Sequence, residues 1–160
     1  MATLPVETFL QAEQCVRWYR CRWLIERYHF VLKSGCRLED LQLETAARLE
    51  RALATYCIVA WRLLWLTYQA RETPEVSCEV VFQPHEWQAL YAITQRTTLL
   101  PATPPSLQQA VRWVAQLGGF LGRASDGDPG VQTIWRGLRR LDDLATMWLL
   151  LLPPSALTYG

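Results

Sequence analysis

Tyr19-Arg20-Cys21-Arg22-Trp23-Leu24-Ile25-Glu26, continuing through Arg27-Tyr28-His29-Phe30-Val31 to Leu32-Lys33-Ser34-Gly35-Cys36, places Tyr19, Arg22, Glu26 and Lys33 in the spacing Y-x2-R-x3-E-x6-K. Residues 8–33 contain no proline or glycine, Thr8 and Gln11 have capping-box spacing, and Gly35 follows as a stop. The segment is therefore read as one long helix, or two in close succession. At about 100° per residue the four side chains fall within roughly 60° of the circumference. A phenol, a guanidinium, a carboxylate and an ammonium thus share one stripe, a combination suited to phosphates and a metal ion. Lys33 is the only lysine in the chain, so its position does not reflect a lysine-rich composition. Trp18, Cys21, Ile25, Tyr28 and Leu32 recur at helical spacing beside the stripe and are expected to form a core face.

Downstream, residues 34–44 read as a short connection. A second helix is expected from Thr45 to about Ala70, burying Leu49, Leu53, Tyr56, Ala60, Leu63 and Thr67. Residues 71–83 are expected as a linker, with a brief β-like run at 78–82 too short to found a sheet. A second unit, 84–150, shows a helix starting near Pro84, a proline-rich loop at 101–105, and a helix over 106–117 ended by Gly118, Gly119 and Gly122. Asp126-Gly127-Asp128-Pro129-Gly130 is turn-dense. The last amphipathic helix, 131–150, carries Ile134, Leu138, Leu141, Ala145 and Trp148 on its apolar side, and 151–160 forms a tail. The fold class is mainly α.

Composition bounds the function. A chain of 160 residues with 51% apolar and 19% charged residues and eight tryptophans is a folded or partner-stabilised protein rather than a disordered one. A net charge of +1 means that any DNA contact must be local. Five cysteines without a C-x-x-C pair read as reduced thiols of a cytoplasmic protein. The N-terminus lacks the cationic start and apolar run of a signal peptide. Residues 52–70 are about the length of a membrane span, but Arg62 sits in their middle, and a buried helix is the preferred reading, with no membrane partner.

Each motif has a plainer reading. Glu26 at four residues from Arg22 can be a surface ion pair, and Arg27 is a second neighbour. His29 lies near the stripe, but a lone helical histidine is more often packed than catalytic. Residues 118–122 match neither G-x-G-x-x-G nor a phosphate loop and read as a helix stop and packing corner. Asp126 and Asp128 lack the closing glutamate of a calcium loop. Asp142 and Asp143 beside Arg139 and Arg140 read as a solvated, paired face, although Arg136, Arg139 and Arg140 could equally meet a DNA backbone.

Tyr19, Arg22, Glu26 and Lys33 in their context resemble the Y-R-E-K signature of the IS-four group of DDE transposases, the transposon Tn-five type. Residues 41–71, the stretch 118–123 with Asp126-Gly127-x-Pro129-Gly130, and Trp135-Arg136-Gly137 with Arg140-Leu141 resemble the C-terminal part of the same group. The resemblance implies that residues 1–70 are the C-terminal helices of an RNase H-like catalytic domain and that 84–150 are a small helical dimerisation domain, with the 131–150 helix as candidate dimer contact. It makes Glu26 the catalytic, metal-binding glutamate, with Mg2+ as cofactor, and gives Tyr19, Arg22 and Lys33 the phosphates of transposon-end DNA. Phe30 stands where the group commonly has a lysine, so one phosphate contact is expected to be missing. The first two catalytic aspartates belong N-terminal to this segment, with Thr3-Leu4-Pro5 resembling the tail of the final preceding strand.

Two metal ions roughly 3.5 to 4 Å apart cannot be fixed by one carboxylate. The expectation is therefore a bacterial, cytoplasmic transposase fragment, inactive alone, that partners transposon-end DNA and forms a homodimer or pairs with intact transposase. The alternative is a regulator that dimerises with and inhibits intact transposase. A helical binding module unrelated to transposition is a further reading.

Overall fold

Thr8 caps the first helix as its spacing with Gln11 requires: its hydroxyl accepts from the Gln11 N–H at 3.3 Å, and the Gln11 side chain accepts from the Thr8 N–H at 3.0 Å. The structure is a computed structural model describing residues 5–36, 38–123 and 125–151. Thr3 and Leu4, and the tail from 152 onward, lie outside the described residues.

Helix α1 (Phe9–Arg20) ends where Cys21 takes φ −81° and ψ −6°, with its N–H bonded to the Trp18 carbonyl at 3.0 Å. Leu24 N–H in turn reaches the Cys21 carbonyl at 3.0 Å. These three-residue bonds tighten the chain and separate α1 from α2 (Arg22–Phe30), so the segment is two helices in close succession. A π turn, Val31–Gly35, follows, closed by the Cys36 N–H on the Val31 carbonyl at 2.9 Å.

Helix α3 (Ala46–Glu72) starts at Thr45, whose hydroxyl accepts from the Arg48 N–H. It buries Ala60, Leu63, Leu66, Thr67 and Ala70, all in its second half. Leu49 and Leu53, expected in the core, are exposed, and Tyr56 is half-buried. On α1 and α2, Trp18, Cys21 and Ile25 are likewise exposed, while Tyr28 and Leu32 pack partly against the core. The apolar faces exist as their periodicity implies, but only the C-terminal half of α3 is buried. What joins α2 to α3 is local: the Trp23 and Tyr68 rings lie 5.7 Å apart, and the Tyr28 hydroxyl donates to the Cys57 carbonyl at 3.0 Å.

Cys78–Val80 form a 3-10 turn rather than an extended run. Residues 71–83, expected as a linker, are tied to the chain preceding α5. Cys78 N–H bonds the Pro105 carbonyl at 3.0 Å, Leu107 N–H the Val76 carbonyl at 2.7 Å, and Gln108 N–H the Pro74 carbonyl at 3.1 Å. Helix α4 (Pro84–Gln95) has proline in its first turn and Glu86 accepting from the Gln83 N–H at 2.7 Å. Helix α5 (Leu107–Leu117) is capped by Ser106, and α6 (Val131–Leu151) closes the fold. Among the described residues there is no β-strand beyond the isolated Ser77–Ser106 bridge.

The core joins Leu63 and Leu66 of α3, Leu90 of α4, Leu107 and Val114 of α5, and Ile134 and Leu141 of α6, all fully buried. Each such side chain contributes about 1.5–3 kcal/mol relative to exposure. Helices α5 and α6 approach backbone to backbone. A Cβ on Gly118 would fall 1.8 Å from the Thr133 carbonyl oxygen, and one on Gly137 would fall 1.8 Å from the Val114 carbonyl oxygen. Neither site tolerates a methyl group without moving a helix. No helix among the described residues is long and apolar enough to cross a membrane.

Two predictions arise here. Gly137→Ala and Gly118→Ala should each lower stability by about 3 kcal/mol or more in urea titrations, whereas Gly130→Ala, whose Cβ meets open space, should cost about 1 kcal/mol or less. Alkali should also unfold the chain early. Burial raises the Cys36 thiol from 9.0 to about 11, and burial followed by the neighbouring Glu79 raises Cys78 from 9.0 to about 12. Hydrogen bonding with Cys57, then burial, raises the Tyr28 phenol from 10.0 to about 12. Above pH 9 the unfolded chain releases protons that the folded chain keeps, so stability should fall steadily from pH 9 towards pH 12 in circular-dichroism melts.

Candidate functional site

The junction at Cys21 puts Tyr19 on the last turn of α1 and Arg22 on the first of α2. The helical path across the junction keeps them neighbours: the Arg22 guanidinium carbon lies over the Tyr19 ring, 5.4 Å from its centroid. One turn further, Arg22 Nη1 meets Glu26 Oε1 at 2.5 Å. Tyr19, Arg22 and Glu26 are therefore one contiguous chain of contacts with arginine at its centre. All three face solvent, with Tyr19 69% exposed and the Arg22 and Glu26 side chains 58% and 59% exposed. An ion pair this open contributes about 0–1 kcal/mol to stability, so folding does not explain the constellation.

Lys33 is not brought into that chain. The π turn shifts it off the regular helical path, and its Nζ pairs with Glu39 Oε1 at 2.9 Å. Glu39 lies in the 3-10 turn Leu38–Asp40, beyond the helix stop, and no helical spacing signals the pair. The site is thus three residues in contact plus an ammonium tethered to a neighbouring turn. His29 is exposed, with its ring 6.0 Å from that of Tyr28. Phe30 is exposed beneath the Arg27 guanidinium, 5.7 Å from its centroid.

Glu26 is a single carboxylate already held by a cation. Among the described residues no group of three or more His, Cys, Asp or Glu is placed to hold a metal ion. The chain's own residues do not fit a divalent cation by themselves, since such ions take several oxygen donors at once.

Other motifs resolve structurally. Asp126 accepts from the Arg123 N–H at 2.9 Å within its turn, and Asp128 pairs with Arg71 at 3.1 Å. The expected pairing of Asp142 and Asp143 with Arg139 and Arg140 does not form: Arg140 donates to the Leu117 carbonyl, and no ion pair links these four among the described residues. All five cysteines are free thiols.

Two family models match this chain. The family model described as Transposase DDE domain matches residues 2–62, the part that carries Tyr19, Arg22, Glu26 and Lys33. The model described as Transposase Tn5 dimerisation domain matches residues 58–147, more than half of the chain. The two matches meet inside α3, the helix that receives Trp23 and Tyr28 of α2 at Tyr68 and Cys57 and whose second half enters the core. With both parts matched in that order, the chain belongs to the Tn5-type DDE transposases.

Proposed function

We propose that this chain supplies the third catalytic glutamate, the transposon-end phosphate contacts and the dimerisation unit of a DNA transposition enzyme. The observation that carries the reading is the exposed Tyr19–Arg22–Glu26 chain of contacts, within the segment matched to the DDE domain. Arg22 is the pivot: its planar fork can hold Glu26 with one edge and offer the other to a phosphate, while the Tyr19 hydroxyl donates to a second oxygen. Lys33 exchanges Glu39 for phosphate at little cost, because the pair is exposed.

Glu26 offers one carboxylate to a magnesium ion in a composite site whose other acids come from the RNase H-like part of the enzyme. No reaction step is assigned to this chain alone. The apolar side chains left open on α1, α2 and the first half of α3, such as Phe9, Ile25 and Leu53, fit the same picture, as a surface that such a domain would cover.

The helical unit assigned to residues 84–150 draws the second half of α3 into its core and is the part that pairs copies. Most of α6 is used internally against α4 and α5. Its C-terminal end is not: Met147, Leu150 and Leu151 are exposed, and no acceptor among the described residues meets the buried Trp148 indole N–H. The same unit supports a second reading, a regulator that pairs with intact transposase, because neither α1 nor α2 contributes a fully buried residue to its core.

Fluorescence anisotropy with duplex DNA in chelator tests the phosphate contacts. Arg22→Gln and Lys33→Gln should each weaken binding about 3- to 10-fold and reduce the salt slope by about 1. Glu26→Gln should strengthen binding, by freeing Arg22 and removing a negative charge facing phosphate; weakened binding would contradict the assignment. The purified chain with magnesium should not nick transposon-end DNA, as gel analysis of a labelled end would show.

A further inference from the structure

A groove of about 380 Å³ opens where the π turn meets α6. Ser34, the residue following Lys33, forms one wall, Tyr56 of α3 contributes an aromatic face, and Trp135, Arg136 and Arg139 of α6 form the other wall. The walls are pinned to each other: Gln132 Nε2 donates to the Ser34 carbonyl at 3.0 Å, and Gly35 sits against the Val131 side chain. The groove is therefore a fixed feature of the junction between the two matched parts.

Its cations are unspent. Among the described residues neither Arg136 nor Arg139 makes an ion pair or a side-chain hydrogen bond, and both are exposed. The same two arginines line an adjoining groove of about 430 Å³ with Arg140, Asp142 and Asp143. At helical spacing of three their Cβ atoms lie about 5–6 Å apart, so both can reach along one strand. Arginines beside aromatic faces are the means by which proteins track a nucleic-acid backbone without reading its sequence. Asp40 on the rim and the two aspartates beyond it limit the attraction to the arginines' immediate reach.

We propose that this groove is a second DNA-backbone contact, in which Arg136 and Arg139 take phosphates of the strand leaving the Tyr19–Arg22–Lys33 face. The inference rests on the DNA-binding reading above and adds a site between the π turn and α6, built from residues outside the stripe. The acidic residues confine it to about two phosphates.

The test is anisotropy titration of the full chain with a fluorescein-labelled duplex of arbitrary sequence at several sodium chloride concentrations. Arg136→Gln with Arg139→Gln should weaken binding about 10-fold and reduce the salt slope by about 1.8, at about 0.9 per phosphate. The double lysine variant, Arg136→Lys with Arg139→Lys, should keep the wild-type slope. Arg17→Gln with Arg48→Gln, which removes the same charge elsewhere, should also keep it. If the double glutamine variant loses its thermal transition, each single variant carries the test with a slope change of about 0.9. An unchanged slope in the groove variant, while Arg22→Gln still lowers it, overturns the groove and leaves the DNA-binding reading intact. An equal loss in the Arg17/Arg48 control overturns the groove as well. No DNA binding by the wild-type chain overturns both.

Discussion

The contact of α5 with α6 through Gly118 and Gly137 is the constraint on which the rest of the structure depends. Two helices packed through ordinary side chains sit 8–10 Å apart, and here the absence of side chains at both crossing points allows carbonyl oxygens to occupy the space a Cβ would need. That closeness brings Ile134 and Leu141 into the same buried cluster as Val111 and Val114. It also fixes the rotation of α6, and with it the outward direction of Arg136 and Arg139 and the reach of Gln132 to Ser34. A methyl group at either glycine would act at a distance, because the π turn that carries Lys33 is held by the helix that would move.

Burial divides the chain unevenly. The second half of α3 with α4, α5 and α6 encloses a continuous apolar core, whereas α1 and α2 contain no buried residue. Large apolar side chains on those helices, and on the first half of α3, remain in water. The Tyr19–Arg22–Glu26 stripe lies on this less supported part, so its geometry depends on local contacts: the capping box at Thr8, the Cys21 junction and the Tyr28 and Trp23 anchors on α3.

Much of the architecture was legible in the residues. Thr8, Thr45, Pro84 and Ser106 each mark a helix start because each satisfies or removes an orphan N–H, and the structure begins its helices there. Burial was less legible. Periodicity identifies an apolar face but not what covers it, which is why Trp18, Ile25, Leu49 and Leu53 read as core and stand exposed. The turn at Cys78 has no local signal because the bonds that hold it, Cys78 N–H to the Pro105 carbonyl and Leu107 N–H to the Val76 carbonyl, cross a sequence distance no local pattern encodes. Gly137 carries no signal of its own within a helical run, since its role exists only opposite Val114. At the site, the Arg22–Glu26 contact follows from four-residue spacing, but the detour of Lys33 to Glu39 depends on a π turn that spacing does not foretell. Chemistry and fold were therefore readable to different depths: spacing on the stripe suits equally a salt-bridged surface and a phosphate contact, and the contact formed within the chain is the Arg22–Glu26 ion pair.

A helical core centred on the glycine crossing thus carries, on α1 and α2, a Tyr19–Arg22–Glu26 face held only by local contacts. Hydrogen–deuterium exchange of the full chain, followed by mass spectrometry, tests it directly. Exchange should be slowest in α5, α6 and the second half of α3, with α1, α2 and the first half of α3 exchanging far sooner. Protection in α1 and α2 equal to that in α5 and α6 would contradict it.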